Sequence, residues 1–106
     1  MDSAHCTVFV TVADEQQAID VARAVLDRRL AACVNIVPGV RSLYRWEGEI
    51  HDDPELLCVM KTRAELFDAL ADAVRAAHAY DVPEIIALPI INGNPPYLKW
   101  IDDNVG

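Results

Sequence analysis

The chain has 106 residues, of which 53% are hydrophobic and 25% are charged, and this composition excludes a disordered or low-complexity protein. Its 17 acidic and 9 basic residues give a formal net charge of -8. A nucleic-acid backbone or an anionic membrane needs a basic surface, so neither is expected as a partner. We predict one domain over residues 1–106.

The N-terminal residues and the cysteines bear on the cellular compartment. The first residues lack the basic segment and the long apolar core of a secretion signal, and no apolar run approaches the roughly 18 residues of a membrane span. The cysteines are widely spaced and each lies in an apolar stretch, which is typical of buried reduced thiols: Cys6, Cys33 and Cys58. We therefore expect a cytoplasmic protein.

A strand and a helix open the chain. Apolar residues recur with a period of two from His5 to Val12, which predicts a strand. Asp14 stands three residues before Gln17, as in a variant of the helix-capping box, and apolar residues follow at helical spacing up to Leu30. The first helix is therefore expected to begin after Asp14.

The middle of the chain predicts a long hairpin. Residues 32–37 and 40–47 alternate as one strand, with Pro38-Gly39 as a bulge or kink between them, and Gly48 begins the reversal. Residues 49–55 are acidic and are interpreted as a turn-like tip. Residues 56–61 then return as a strand paired with the first.

The second half predicts a helix, a strand and a short helical segment. Thr62 and Glu65 form a capping box before a helical apolar stripe that ends near His78. Residues 84–91 are predicted to be a buried strand, in which Pro89 marks a bulge or an edge. Turn residues and prolines precede a short apolar segment, "NPPYLKWI", which predicts a C-terminal helical turn.

The element order β-α-β-β-α-β predicts an α+β fold of the ferredoxin-like class, with an antiparallel sheet and both helices on one face. A 15-residue helix is about 22 Å long, whereas a strand over residues 32–47 extends about 50 Å. The long hairpin thus outruns its helices and exposes Leu43, Tyr44 and Trp46. Such a surface is an aggregation hazard in a monomer, so we expect other copies of the chain to cover it, in a ring rather than an isologous dimer.

Several ordered motifs resemble the CutA family of divalent-cation-tolerance proteins over essentially the whole chain: "AACVNIVPGVRSLYRWEGEI", "MKTR", "AYDVPEIIALPI" and "NPPYLKWI". The resemblance implies a homotrimer of ferredoxin-like subunits with strand pairing between them. It also implies an association with copper and other divalent ions. The copper ligands proposed for a bacterial member correspond here to Val10, Ala77 and His78, so one of three is a metal-binding residue type.

His78 and Glu84 are the candidate metal ligands. The intervening turn could fold Glu84 back toward His78, and an imidazole with a carboxylate suits Cu²⁺ or a similar divalent ion. The alternative is that His78 caps the carbonyls at the end of the second helix. The acidic residues 51–55 are a second candidate for cation binding. The alternative, which we favour, is that they form a solvated hairpin tip.

Four positions match recurrent positions of the family pattern and are predicted to form an intersubunit pocket: Lys61, Tyr80, Glu84 and Trp46. Lys61 ends the third strand and Glu84 opens the fourth, so we expect them to meet at one end of the sheet. The pocket would then bind a small anion or metabolite. Alternatively, a Lys61–Glu84 pair would fix the assembly.

The sequence contains no nucleophile elbow and no P-loop, so no catalysis is expected. The first hypothesis is a trimeric divalent-cation-tolerance protein that binds copper or a similar divalent ion weakly. The alternative is a regulatory or assembly module like the trimeric PII proteins, with a small metabolite bound in clefts between subunits.

Overall fold

The computed structural model describes residues 4–106. Its elements, in chain order, are β1 (His5–Val12), α1 (Glu15–Asp27), β2 (Cys33–Trp46), β3 (Glu49–Arg63), α2 (Phe67–Ala77), β4 (Ile85–Pro89) and α3 (Pro95–Asn104). The four strands form one antiparallel sheet in the order β2-β3-β1-β4. This order confirms the predicted ferredoxin-like fold.

The core lies between one face of the sheet and the two long helices. Every second residue of β1, beginning with Cys6, is buried, and α1 and α2 pack on that face through residues such as Val21, Val25, Leu70 and Val74. Alternating burial on a strand and a buried stripe on each helix are the patterns that the sequence shows. The prediction that both helices lie on one face is confirmed.

The two helices begin differently. Asp14 caps α1 as predicted, because its carboxylate accepts the backbone N–H of Gln17 at 2.8 Å. The predicted capping box of the second helix is wrong. Thr62 belongs to β3 and donates its hydroxyl to the Leu30 carbonyl at 2.7 Å, while Glu65 pairs with Arg63, so a 3₁₀ turn precedes α2. The Thr62 side chain is directed to the Leu30 carbonyl and caps neither the 3₁₀ turn nor α2.

The hairpin of β2 and β3 contains both predicted irregularities. A bulge interrupts the register between Val37 and Val40, and Gly39 adopts a left-handed φ of 81° there. Glu47 and Gly48 both have positive φ and form a two-residue turn. Because Trp46 pairs directly with Glu49 across this turn, residues 49–55 continue β3 and are not the loose tip that the sequence suggested.

The face of the sheet opposite the helices carries no helix in the described chain. By the strand register, that face presents apolar side chains of β1, β3 and β4: Phe9, Leu57, Val59, Ile86 and Leu88. The predicted burial of the fourth strand is therefore wrong for a single chain, since Ile86 is 49% exposed and Leu88 is 43% exposed. β4 is an edge strand, as Pro89 indicated.

The C-terminal segment begins with two prolines, as predicted, but it is a ten-residue helix and thus longer than the predicted helical turn. Ile101 is buried, and the guanidinium of Arg29 donates to the carbonyls of Gly106 and Asp103. His5 and Arg63 both hydrogen-bond the carboxylate of Asp102 and so attach α3 to the sheet. Within residues 4–106, no helix combines the length and the apolarity that crossing a membrane requires.

Candidate functional site

A cleft of about 630 Å³ lies where the hairpin, the end of β1 and the loop after α2 meet. Its lining combines aromatic rings with carboxylates and comprises Thr11, Arg41, Ser42, Leu43, Tyr44, Trp46, Glu55, Tyr80, Asp81, Val82 and Glu84. The structure thus brings together three of the four predicted pocket residues, Trp46, Tyr80 and Glu84. A concave surface with a few convergent polar groups is the usual form of a small-molecule site.

Lys61 does not line this cleft within one chain. Its partner on β1 is Thr7, whereas Ile85, next to Glu84, pairs with Val10. The two positions are three residues apart along β1, or about 10 Å. The Lys61 ammonium instead donates a hydrogen bond to the side-chain carbonyl of Asn35. The expectation that Lys61 and Glu84 meet is therefore wrong for a single chain.

Glu55 is the cleft residue that the sequence interpretation missed. It was assigned to a solvated tip, yet it is only 9% exposed. Its Oε2 accepts a hydrogen bond from the phenol of Tyr80 at 3.1 Å. Burial, followed by this hydrogen bond to Glu55, raises the pKa of Tyr80 to about 12. Strand alternation places Glu55 on the same face as Leu57 and Val59, but no local signal shows that Tyr80 of the loop after α2 contacts it there.

Two other carboxylates of the hairpin are already occupied. Both oxygens of Asp52 accept from the Arg41 guanidinium, at 2.9 and 2.6 Å, and this pairing lowers the pKa of Asp52 and raises that of Arg41. Tyr44 donates its phenol to Asp53 at 2.5 Å, which raises the pKa of Tyr44. Residues 51–55 therefore do not form one cation surface, because their carboxylates bind different partners.

His78 has both ring nitrogens engaged. Its Nδ1 accepts the backbone N–H of Tyr80 at 3.0 Å, so the proton is on Nε2, which donates to the Thr11 carbonyl at 2.8 Å. This hydrogen bond goes to a carbonyl of β1. The alternative interpretation had His78 cap the carbonyls at the end of α2, so the partner differs from the one expected. A metal ligand needs a free nitrogen lone pair, and His78 presents none in this arrangement.

The other positions do not complete a metal centre either. Val10 and Ala77 carry no donor atoms. In the part of the chain that the structure describes, no three His, Cys, Asp or Glu side chains lie close enough together to hold a metal ion. The residues present therefore do not fit a preformed divalent-ion site.

A family described as "CutA1 divalent ion tolerance protein" matches residues 6–104. The "Divalent-cation tolerance protein CutA" of Thermus thermophilus is 52% identical over 99 residues, which cover 93% of this chain and 96% of that protein. "Protein CutA" of Mus musculus is 50% identical over 93 residues, and the match spans 88% of this chain but 52% of the mouse protein.

Solved structures agree with this assignment. The Thermus thermophilus divalent cation tolerance protein superposes with a TM-score of 0.94 at 50% identity, covering 96% of this chain and 99% of that one. CutA1 from Oryza sativa gives the same TM-score at 46% identity, covering 98% and 95% of the two chains. The protein therefore belongs to the CutA family of divalent-cation tolerance proteins.

Proposed function

We propose that this CutA-family protein acts in divalent-cation tolerance as a homotrimer, in a binding role without a catalytic step. The observation that supports assembly is the apolar surface of the hairpin. Leu43 is 64% exposed, Ile50 is 68% exposed and Trp46 is 46% exposed in one chain. Apolar surface on a long hairpin with an unpaired edge favours association with other chains.

The bare face of the sheet supports the same proposal. Ile86 and Leu88 lie on it beside Phe9, and no element of the described chain covers them. Both sheet edges, β2 and β4, are also open, so neighbouring copies have strands available for pairing. Family membership supports three copies, because the resemblance to CutA proteins implies a trimer.

We propose that Cu²⁺ or a similar divalent ion binds weakly, with His78 and Glu84 as its ligands. An imidazole and a carboxylate are suitable donors for such an ion, and the net charge of -8 attracts cations. Weak binding is expected because an ion at His78 must displace the hydrogen bond to Thr11 or to Tyr80. The divalent-cation tolerance named for the relatives supports this role.

A second candidate function is the binding of a small metabolite in the cleft, as in a PII-like regulatory module. It is favoured by the convergence of Trp46, Tyr80 and Glu84 on one concave surface. In a trimer, the cleft would lie near a subunit junction, and a neighbouring chain would then supply the predicted fourth residue, Lys61.

We also propose a cytoplasmic location. The support is that none of the three cysteines is paired with another, as reducing compartments keep thiols free. Burial raises the thiol pKa of Cys6 and Cys58, which lowers their reactivity. Fractionation of the source cells, with the protein recovered in an organelle or a secreted fraction, would overturn the proposed location.

Native mass spectrometry with and without micromolar Cu²⁺ tests both parts of the first proposal. We expect a trimer that takes up copper in the wild type and in His51→Ala, the matched histidine control, but not in His78→Ala. A monomer or dimer would overturn the assembly. A trimer that retains no copper would overturn the metal role while leaving the cleft function standing.

A further inference from the structure

The carboxylate of Glu55 offers the cleft one oxygen that no described residue occupies. Glu55 is 9% exposed, and within the described residues only its Oε2 receives a hydrogen bond, from Tyr80. Among residues 4–106, no Lys or Arg forms a salt bridge with it. Because no buried side-chain oxygen of residues 4–106 lacks a partner, the second oxygen of Glu55 is accessible from the cleft, where a bound group can donate to it.

The surroundings of Glu55 favour a positively charged guest. Asp81 and Glu84 add two carboxylates to the cleft wall. The only basic residue among the lining side chains is Arg41, and its guanidinium is held by both oxygens of Asp52, which neutralises its charge. The cleft is therefore net acidic on a chain of charge -8, and a small anion would be repelled.

The shape and the aromatic walls distinguish between kinds of cation. A bare metal ion needs several donors within about 2–2.6 Å of one point, and the described carboxylates and imidazoles do not converge in that way. A cleft of about 630 Å³ instead has room for a guest with an apolar body. The rings of Tyr44, Trp46 and Tyr80 line it, and aromatic faces attract ammonium and guanidinium groups.

We propose that this cleft binds a small organic cation, an alkylammonium or alkylguanidinium, with its charged group against Glu55 and its apolar chain against the aromatic side chains. The inference rests on the second candidate function, with Lys61 of the neighbouring chain outside the cleft, and specifies its ligand class. The bound cation pairs with the Glu55 carboxylate, which has no salt-bridge partner within residues 4–106, and the oxygen that Tyr80 leaves free accepts its N–H.

The test is a titration of the intact oligomer with n-hexylammonium chloride, with n-hexanol as the neutral probe of equal chain length. Trp46 fluorescence reports on the cleft in a Trp100→Phe background, which removes the other tryptophan, and calorimetry on the wild type checks it. We expect saturable binding of hexylammonium and at least tenfold weaker binding of hexanol.

Variants of the carboxylate complete the test. Glu55→Gln should weaken hexylammonium binding at least tenfold, whereas Glu15→Gln, an exposed carboxylate on α1 with the same charge change, should leave it unchanged. Glu84→Gln at the cleft surface provides a second variant that does not disturb the Tyr80–Glu55 hydrogen bond, with an expected loss of several fold. Equal binding of both probes, or unchanged affinity in both cleft variants, would overturn the proposal.

Native mass spectra of the same samples separate this proposal from the preceding ones. A trimer that binds a neutral or anionic metabolite, but no hexylammonium, keeps the cleft function and rejects the ligand class. An oligomer that binds no probe and dissociates in Glu55→Gln shows that a basic side chain of a second copy occupies the cleft. That result also overturns the organic-cation proposal.

Discussion

The phenol of Tyr80 donates a hydrogen bond to Oε2 of Glu55 across 3.1 Å and joins the loop after α2 to the middle of β3. The two residues are 25 positions apart in the chain. The contact is the one hydrogen bond that this nearly buried carboxylate receives within residues 4–106. It also holds the segment that carries Asp81 and Glu84 against the hairpin.

Tyr80→Phe should destabilise the protein by about 1 kcal/mol, since it leaves the buried Glu55 carboxylate without a donor. The measurement is the urea midpoint at equal protein concentration. Tyr44→Phe is the matched control, because its phenol also donates to a carboxylate but at an exposed site, and a smaller loss is expected. Equal losses in the two variants would show that burial of Glu55 does not determine the cost.

Trp46→Ala should weaken assembly, because it removes an aromatic side chain from the surface proposed to contact a neighbouring copy. A fully buried interface aromatic typically contributes about 2 kcal/mol or more. Dilution followed by native mass spectrometry or sedimentation measures the change. Leu26→Ala, at a 38% exposed position on α1, should leave the oligomer intact. An unchanged dissociation midpoint for Trp46→Ala would locate the interface elsewhere.

Gly39→Ala should lower stability by about 1 kcal/mol, because Gly39 has φ of 81° and a side chain is strained in that region. An added Cβ meets no atom within 4 Å, so the expected cost is conformational rather than steric. Gly39→Asn should cost less, since asparagine tolerates left-handed φ better than alanine does. Thermal unfolding of the three proteins measures the order, and an asparagine variant weaker than alanine would contradict it.

Asp102→Asn should reveal a pH-dependent attachment of α3. The hydrogen bonds from Arg63 and then His5 lower the folded-state pKa of Asp102 below the usual value of about 3.9. A depressed pKa means that the stabilisation is present above the unfolded-state pKa and is lost as pH falls through the folded-state pKa.

Urea midpoints at pH 7 and at pH 3 or below test this prediction. Wild type should exceed Asp102→Asn at pH 7, and the difference should shrink as the pH falls. Asp103→Asn carries the same charge change, but its carboxylate pairs only with the exposed Lys99 of α3. A difference that is constant with pH, or equal for both variants, would contradict the prediction.

Local patterns predicted most of the fold. The alternation in β1, the Asp14 cap of α1 and the prolines that begin α3 each depend on neighbours within a few residues, and the structure confirms them. The bulge at Pro38-Gly39 was likewise visible, because proline and glycine interrupt an otherwise regular strand. The capping box at Thr62 failed for a nonlocal reason, since its hydroxyl bonds a carbonyl 32 residues earlier in the chain.

The candidate site was only partly predictable. Trp46, Tyr80 and Glu84 line one cleft of a single chain, whereas strand register separates Lys61 from Glu84, and the intersubunit pocket stays a prediction. The stretch containing Glu55 was interpreted as solvated on its acidic composition. Which acidic residue of that stretch is buried depends on the loop that packs against it.

The sequence by itself determined the element order, the antiparallel sheet with helices on one face and a hairpin too long for its helices to cover. These properties follow from local periodicity, turn chemistry and chain length. Only the tertiary structure decided that Glu55 is buried against Tyr80 and that both nitrogens of His78 are occupied, one of them by a carbonyl 67 residues away. Such contacts join residues distant in the chain, so their hydrogen bonds and burial arise only when the sheet and loops pack together.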